Sequence, residues 1–407
     1  MRYEDYVDTR YKPSRNELVC EFYAEPERGV KPKWLAGGIA AESSTGTWTE
    51  LTTEKPYMKK LAATVFKMKK RGRGMDLSVA YPPELFEGNN MPNILSSVAG
   101  NIYGLKEVRY LRMNGLHLPK KLAQSFKGPK FGIKGVQKTF KKKTPLVGTI
   151  VKPKLGLRTA DHAKVAYEAW VGGCDVVKDD ENLSGQSFNR ALNRIKTTVK
   201  YKRKAEKETG ERKGYMFNVT AETFEMLKRT NMAADLRNEY IMIDILTEGW
   251  GALQTLRDKS RSRIIHAHRA GHAAVTKLPY HGMSMPVVCT ISRTIGVDQL
   301  HVGTAVGKMG ENKQEVLENV AACKEKYHGI KPVMPVASGG LNPLHVPALH
   351  KIFGNEVIIQ MGGGIHGHPG GTRVGAKAAR DAVDAVIAGR SIHNYSKELD
   401  EAIRKWG

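Results

Sequence analysis

From Pro145 onward, apolar runs of strand length recur eight times, and this repetition limits the possible folds more than any other feature. The runs cover residues 146–151, 174–177, 215–219, 240–245, 263–266, 298–301, 333–336 and 357–360. Helical apolar spacing fills intervals between them, at 161–171, 223–229, 249–256, 313–326 and 373–388. Strands alternating with helices read as parallel βα units, and eight units in roughly 260 residues fit a closed (β/α)8 barrel. An open doubly wound sheet is the runner-up, but its first strand would normally run into a Gly-rich fingerprint. No such run follows residue 151. The expected fold class is α/β, with a TIM barrel over residues 145–407.

Residues 1–125 read as a separate N-terminal α+β domain of ferredoxin-like type. Strand patterns lie at 17–24, 75–81 and 106–113, and helical spacing at 34–42 and 91–104. The first helix leads into Ser43-Ser44-Thr45-Gly46-Thr47-Trp48, a small-residue loop rich in hydroxyls. Residues 126–144, in a basic and glycine-containing stretch, read as a surface connection between the domains.

Composition narrows the classes. No apolar run approaches the ~20 residues a membrane span needs, and the start of the chain lacks the apolar core of a signal peptide. Cys20, Cys174, Cys289 and Cys323 are far apart and form no CxxC pair. A disulfide framework or zinc site is not expected, and the cytoplasm is the expected compartment. Lys and Arg number 65 against 41 Asp and Glu, a net charge of +24. A basic nucleic-acid-binding protein is the rival from another class. The basic clusters at 59–73, 120–143 and 196–213 carry no interleaved aromatics or tandem repeats, so solvated faces are preferred, with neither nucleic acid nor membrane as partner.

The chemistry lies where the strands end, because barrels of this kind place their active site at the C-terminal ends of the strands. These ends read Lys152-Pro153-Lys154, Lys178-Asp179-Asp180-Glu181, Asn218, Asp244, His266-Ala267-His268-Arg269, His301-Val302-Gly303-Thr304, Ser338-Gly339-Gly340 and Gly362-Gly363-Gly364. Any one could be an ordinary turn; eight converging on one mouth make a site. The last two follow strands seven and eight, where backbone N–H groups commonly bind phosphate. Tight turns into the next helix are the plainer explanation of a single glycine run. Arg269 suits a second phosphate by bidentate bonding. Lys308 lies in a glycine-containing loop that reads either as a closing lid or as a flexible connection. Asp180 and Glu181 offer two oxygen ligands for Mg²⁺. Lys178 reads as their salt-bridge partner or, as a carbamate formed with CO2, as a third oxygen donor.

The segments Gly148–Leu157, Gly172–Asn182, Glu42–Trp48, Gly100-Asn101, His266–Arg269 and Gly303–Lys308 resemble the signature segments of ribulose-1,5-bisphosphate carboxylase/oxygenase (RuBisCO) large chains. The resemblance runs from about residue 15 to 395. Met283-Ser284-Met285, the stretch from Gly296 to His301 and Gly364-Ile365-His366-Gly367-His368-Pro369 look most like the archaeal type III branch.

The resemblance implies the following roles. Lys178, carbamylated by an activating CO2, binds Mg²⁺ with Asp180 and Glu181 and takes the C3 proton of ribulose 1,5-bisphosphate. His268 assists proton transfer, Lys152 protonates the carbanion left after C–C cleavage with Lys154 nearby, and Lys308 contacts the incoming carboxylate. Arg269, His301 and Ser338 face one phosphate, and Thr47, Gly339, Gly340, Gly362, Gly363 and Gly364 serve the rest of the bisphosphate. Glu42, Thr47, Trp48 and Asn101 act in the neighbouring subunit's site, which makes a homodimer the smallest active unit. A higher oligomer of dimers remains open, and no small subunit is implied. CO2 and O2 are the gaseous substrates, two 3-phosphoglycerate the product, and AMP or nucleotide salvage the setting.

One departure is visible: Met309-Gly310-Glu311 stands where many members have Leu-Glu-Gly, which bears on loop closure and CO2/O2 discrimination. A RuBisCO-like enolase or isomerase, without carboxylation, is the closest rival. Such proteins usually lose several of the substrate-contacting positions that this chain keeps.

Overall fold

The computed structural model describes residues 2–49, 51–307 and 312–407. In chain order β1 (Leu18–Pro26), β2 (Thr64–Arg71), β3 (Gly74–Tyr81) and β4 (Val108–His117) come first. The barrel strands β5 (Leu146–Ile150), β6 (Val176–Lys178), β7 (Gly214–Asn218), β8 (Tyr240–Asp244) and β9 (Ile264–His268) follow. β10 (Gly282–Met283) belongs with the first four, and β11 (Gln299–His301), β12 (Met334–Ser338) and β13 (Ile358–Gln360) complete the barrel. The chain forms two compact units, one of Met1–Lys127, Gly271–Ile295 and Tyr327–Ile330, the other of Gly128–Ala270, Gly296–Lys326 and Lys331–Gly407.

The first unit is a five-stranded sheet in the order β10-β4-β1-β3-β2. It is mixed, because β1 runs antiparallel to β3 and β4 while β10 joins β4 in parallel. β10 and the helix Met285–Ile295 come from the half of the sequence read above as barrel, and they pack against β4. They cover what would otherwise be an open sheet edge. β2 has no counterpart among the expected strands. It is an edge strand with half of its residues exposed and one buried, and its lysines hide the alternation. The helix Pro32–Glu42 buries Leu35, Ala36, Ile39 and Ala40. A Cβ at Gly37 would sit 1.8 Å from the Tyr3 carbonyl oxygen, so only glycine lets the Tyr3–Tyr6 turn cross the helix here.

In the second unit all eight expected strands are present and close into a parallel barrel in the order β11-β12-β13-β5-β6-β7-β8-β9. Leu146, Val176, Tyr240, Ile264, Met334 and Ile358, each the first residue of its strand, form one buried cluster with Ile133, Val136 and Phe140. Those three lie on the helix Gly132–Phe140, which therefore plugs the N-terminal end of the barrel. The stretch expected to be a surface connection thus carries a core helix. Its i, i+3, i+7 apolar spacing is interrupted by Lys134 and Lys138.

Two buried aspartates fasten this end. Asp298, just before β11, accepts from Phe131 N at 2.6 Å, Gly132 N at 3.0 Å, Ile265 N at 3.0 Å and Arg257 Nη1 at 3.1 Å. Asp175, just before β6, accepts through Oδ2 from Val147 N at 2.8 Å and from Arg380, and through Oδ1 from Lys142 Nζ at 2.6 Å. In both cases a carboxylate satisfies a neighbouring strand's N–H and is itself neutralised by an arginine, which burial requires. Among the described residues no helix is long and apolar enough to cross a membrane.

Candidate active site

Lys178 ends β6, in register with Ile150 of β5 and Met216 of β7. Lys178, Asp179 and Asp180 are all fully buried. Strand alternation sends their side chains to different faces, and the hydrogen bonds follow that division. Lys178 Nζ donates to Glu181 Oε2 at 3.1 Å and to the Asp179 carbonyl at 2.8 Å. Lys152 Nζ, just past the end of β5, donates to Asp180 Oδ2 at 2.7 Å. Two ammonium groups and two carboxylates therefore meet at the ends of adjacent strands.

Asp179 belongs to a separate network. It accepts from Arg194 Nε at 3.0 Å, Tyr215 OH at 2.6 Å and Asn218 N at 3.0 Å. His162 Nε2 lies 3.1 Å away, close enough for a charge contact but not aligned as a hydrogen bond. Burial raises the Asp179 pKa, but Arg194 and His162 outweigh it and hold the carboxyl below the usual range. Arg194 comes from the helix Ala191–Thr209, so Asp179 ties the loop to the outer helix layer. Asn218 adds a second tie, donating through Nδ2 to the carbonyls of Glu181 at 3.1 Å and Leu183 at 3.0 Å.

Glu181 is the more accessible acid of the loop. Burial would raise its pKa, but the Lys178 charge and then His268 pull it down to about 2. It is a carboxylate at any physiological pH. His268, at the end of β9, lies with Nε2 3.7 Å from Glu181 Oε2 and with Nδ1 2.6 Å from Asp244 Oδ1. Asp244, at the end of β8, was noted in the sequence only as a polar strand end; its partner is what gives it a use. A carboxylate accepts from Nδ1–H, which leaves Nε2 as the nitrogen free for proton exchange.

His266, within β9, forms a cluster with the ends of β11 and β12. His266 Nε2 and His301 Nε2 are 2.9 Å apart, and His301 Nδ1 is 2.7 Å from Ser338 Oγ. Burial, followed by the Lys178 charge, lowers His266 to about 3. Burial and the neighbouring His268 push His301 well down too, so both rings are neutral at physiological pH. Arg269, next to His268, is almost fully buried. Behind β5, His366 Nε2 lies 3.0 Å from the Ile150 carbonyl and 2.9 Å from Thr149 Oγ1, holding the strand just before Lys152. Nothing in the sequence set this histidine apart from its neighbours.

The glycine runs differ in what they permit. Gly339 and Gly340 have φ of 122° and 67°, conformations that other residues rarely adopt. A Cβ at Gly364 would lie 2.2 Å from the Leu341 carbonyl oxygen, and one at Gly362 would lie 3.2 Å from Lys152 Cε. Gly363 has open space around its Cβ direction. Lys154 is exposed. Lys308 and the Met309-Gly310-Glu311 departure lie outside the described residues.

Within the first unit, Glu42 ends the helix Pro32–Glu42 and accepts from Tyr3 OH at 2.6 Å. Thr47 is partly exposed, Trp48 is 82% exposed, and Asn101 is exposed at the start of the turn Asn101–Gly104. An indole left this open to water is costly unless something else covers it.

The family model for the ribulose bisphosphate carboxylase large chain, catalytic domain, matches residues 132–406, and that for the N-terminal domain of the same chain matches residues 5–122. The chain belongs to the RuBisCO large-chain family. The ribulose bisphosphate carboxylase of Methanosarcina barkeri is 47% identical over 99% of both chains. Among solved structures, the octameric RuBisCO of Pyrococcus horikoshii OT3 superposes with a TM-score of 0.97, at 44% identity over 100% of this chain and 97% of that one. The dimeric archaeal RuBisCO of Hyperthermus butylicus gives a TM-score of 0.94, at 42% identity over 100% and 99%.

Whether this RuBisCO chain can hold a divalent cation depends on its donors. Among the described residues no three His, Cys, Asp or Glu side chains converge as a ready metal site. Asp180 and Glu181 are hard oxygen donors of the kind Mg²⁺ takes, and each already faces an ammonium group. The set fits a cation once Lys178 contributes oxygen rather than an ammonium.

Proposed function

We propose that this chain is a ribulose-1,5-bisphosphate carboxylase/oxygenase, converting ribulose 1,5-bisphosphate, CO2 and water to two molecules of 3-phosphoglycerate, with O2 as the competing substrate. One observation carries this reading. A fully buried lysine, Lys178, meets Glu181 at 3.1 Å while Lys152 meets Asp180 at 2.7 Å, at the C-terminal ends of β6 and β5. Mg²⁺ would be held by Asp180, Glu181 and the carbamate of Lys178, and when bound it would offset negative charge developing on the substrate oxygens.

The chain's own residues then divide the work. Lys178, as a carbamate, takes the C3 proton of the substrate. His268 accepts and returns protons at the substrate hydroxyls through Nε2, with Asp244 fixing its orientation. Lys152 delivers the proton to the carbanion left by C–C cleavage, and it is held at the right strand end by Asp180 in the resting enzyme. Lys154 lies two residues further on. Arg269 serves one phosphate end, and His301, whose two ring nitrogens are taken by His266 and Ser338, lines it. The backbone of Gly339, Gly340, Gly362, Gly363 and Gly364 serves the other, and Lys308 closes over the incoming carboxylate.

Glu42, Thr47, Trp48 and Asn101 complete the site of a second copy, so the working unit is a homodimer. The 82% exposure of Trp48 supports this. The resemblance to the archaeal type III branch supports a substrate supplied by AMP or nucleotide salvage, in the cytoplasm and without a small subunit.

An activation assay tests the role of Lys178. Incubation with bicarbonate and Mg²⁺ before substrate is added should raise the initial rate, and Lys178→Ala should show no activity under either protocol while keeping its far-UV spectrum. A rate that does not depend on the order of addition, or turnover in the variant, would refute it.

A further inference from the structure

We propose that Gln299 is a positioning residue that fixes where the protons sit along the buried chain Tyr240–Gln299–His266–His301–Ser338, so that Ser338 turns a lone pair, not a hydrogen, toward the barrel's open end. The five side chains are linked without a break. Gln299 Nε2 donates to Tyr240 OH at 2.9 Å, and Gln299 Oε1 lies 2.9 Å from His266 Nδ1. His266 Nε2 lies 2.9 Å from His301 Nε2, and His301 Nδ1 lies 2.7 Å from Ser338 Oγ.

The amide has donors on nitrogen and only an acceptor on oxygen. With its nitrogen committed to Tyr240, the oxygen can only accept from His266, so His266 carries its proton on Nδ1. A neutral imidazole has one N–H, so His266 Nε2 is bare. His301 must then donate from Nε2, which leaves His301 Nδ1 bare and makes Ser338 O–H the donor to it. For two neutral rings facing each other at 2.9 Å, only this arrangement and its mirror image satisfy every contact. The amide orientation decides between them. Tyr240, His266, Gln299 and His301 are all buried, so water cannot easily supply an alternative partner.

The consequence for the reaction rests on the function proposed above. With its hydrogen engaged by His301, Ser338 offers the ligand an acceptor only. It therefore suits a donor group such as a hydroxyl and cannot bond a fully ionised phosphate oxygen. Gln299 touches no substrate in this scheme. It acts through two histidines on a serine three hydrogen bonds away, and it was not among the candidates found in the sequence.

Neutron diffraction on crystals of the substrate-free wild-type protein, exchanged into heavy water, reads the proton positions directly. Deuterium is expected on His266 Nδ1 and His301 Nε2, with the Ser338 deuterium aimed at His301 Nδ1. Deuterium on His266 Nε2 and His301 Nδ1, or on all four ring nitrogens, would overturn the proposal.

Gln299→Glu gives a second, directional test. A carboxylate beside His266 favours the imidazolium, which would donate from both nitrogens and force His301 to hold its proton on Nδ1. The variant should therefore show the Ser338 hydrogen released toward the barrel opening and a Michaelis constant for ribulose bisphosphate raised ~10-fold, the worth of about one hydrogen bond. His301 still protonated on Nε2 in that variant would also overturn the proposal. Neither map needs turnover, so failure here is distinguishable from failure of the carboxylase reading.

Discussion

Replacing Asp179 by alanine should unfold the barrel unit at a much lower temperature, even though Asp179 itself is not placed on the metal or the substrate. Its carboxylate accepts three hydrogen bonds, from Arg194, Tyr215 and Asn218. Arg194 is fully buried and, apart from Asp179, is bonded to the carbonyls of Asn189, Ser184 and Leu183 at 2.8, 2.7 and 3.5 Å. Removing the acid strands a buried guanidinium charge, which typically costs about 3–5 kcal/mol. In a unit of this size each kcal/mol lowers Tm by roughly 2–4 °C, so a fall of roughly 6–20 °C is expected. Calorimetry of the Mg²⁺-free protein measures it.

The pH dependence has a definite sign. A folded-state pKa held below the ordinary carboxylate range gives stability that is present above the unfolded value of ~3.9 and is lost as pH falls below it. The wild-type Tm should therefore drop more steeply below about pH 4 than that of Asp179→Asn, which has no charge to lose. Asp179→Leu combined with Arg194→Met removes both charges and should recover much of the loss. A Tm for Asp179→Ala within ~2 °C of wild type would refute the reasoning, since a stranded buried charge cannot be that cheap.

Three other outcomes follow from the geometry. Gly172→Ala should destabilise by about 1–3 kcal/mol in thermal unfolding, because the new Cβ would sit 2.2 Å from the Arg373 carbonyl oxygen. Asp298→Ala should loosen the plug helix Gly132–Phe140, seen as faster amide exchange at Phe131 and Gly132, whose N–H groups lose their acceptor. If the sites are shared between subunits, mixing inactive Asn101→Ala with inactive Lys178→Ala should restore activity. Random re-pairing gives roughly a quarter of the wild-type rate, since half the dimers carry one intact site; no recovery would argue against a shared site.

The barrel was legible because each of its eight strands is an apolar run, and burial on both faces leaves little room for polar residues. The edge strand β2 was not legible, because one face of it meets water and its lysines replace the alternating pattern. The plug helix was missed for a related reason: Ile133, Val136 and Phe140 are spaced like a helix face, but the lysines between them suggested a solvated linker. At the site, residue types that sit at strand ends could be read directly, and the buried pairing of Lys178 with Glu181 fits the expected cluster. What could not be read was pairing at a distance. Asp179 to Arg194, His268 to Asp244, and Gln299 to Tyr240 are separated by 15 to 59 residues, and only closure of the barrel brings them together.

The central claim is carboxylation at the Lys178 cluster, and product labelling tests it most directly. Purified protein, activated with Mg²⁺ and labelled bicarbonate and given ribulose 1,5-bisphosphate under anaerobic conditions, should form two 3-phosphoglycerate per substrate consumed, with one labelled carboxyl between them. Substrate consumed without labelled phosphoglycerate would show that the site enolises or isomerises but does not carboxylate, and would contradict the account.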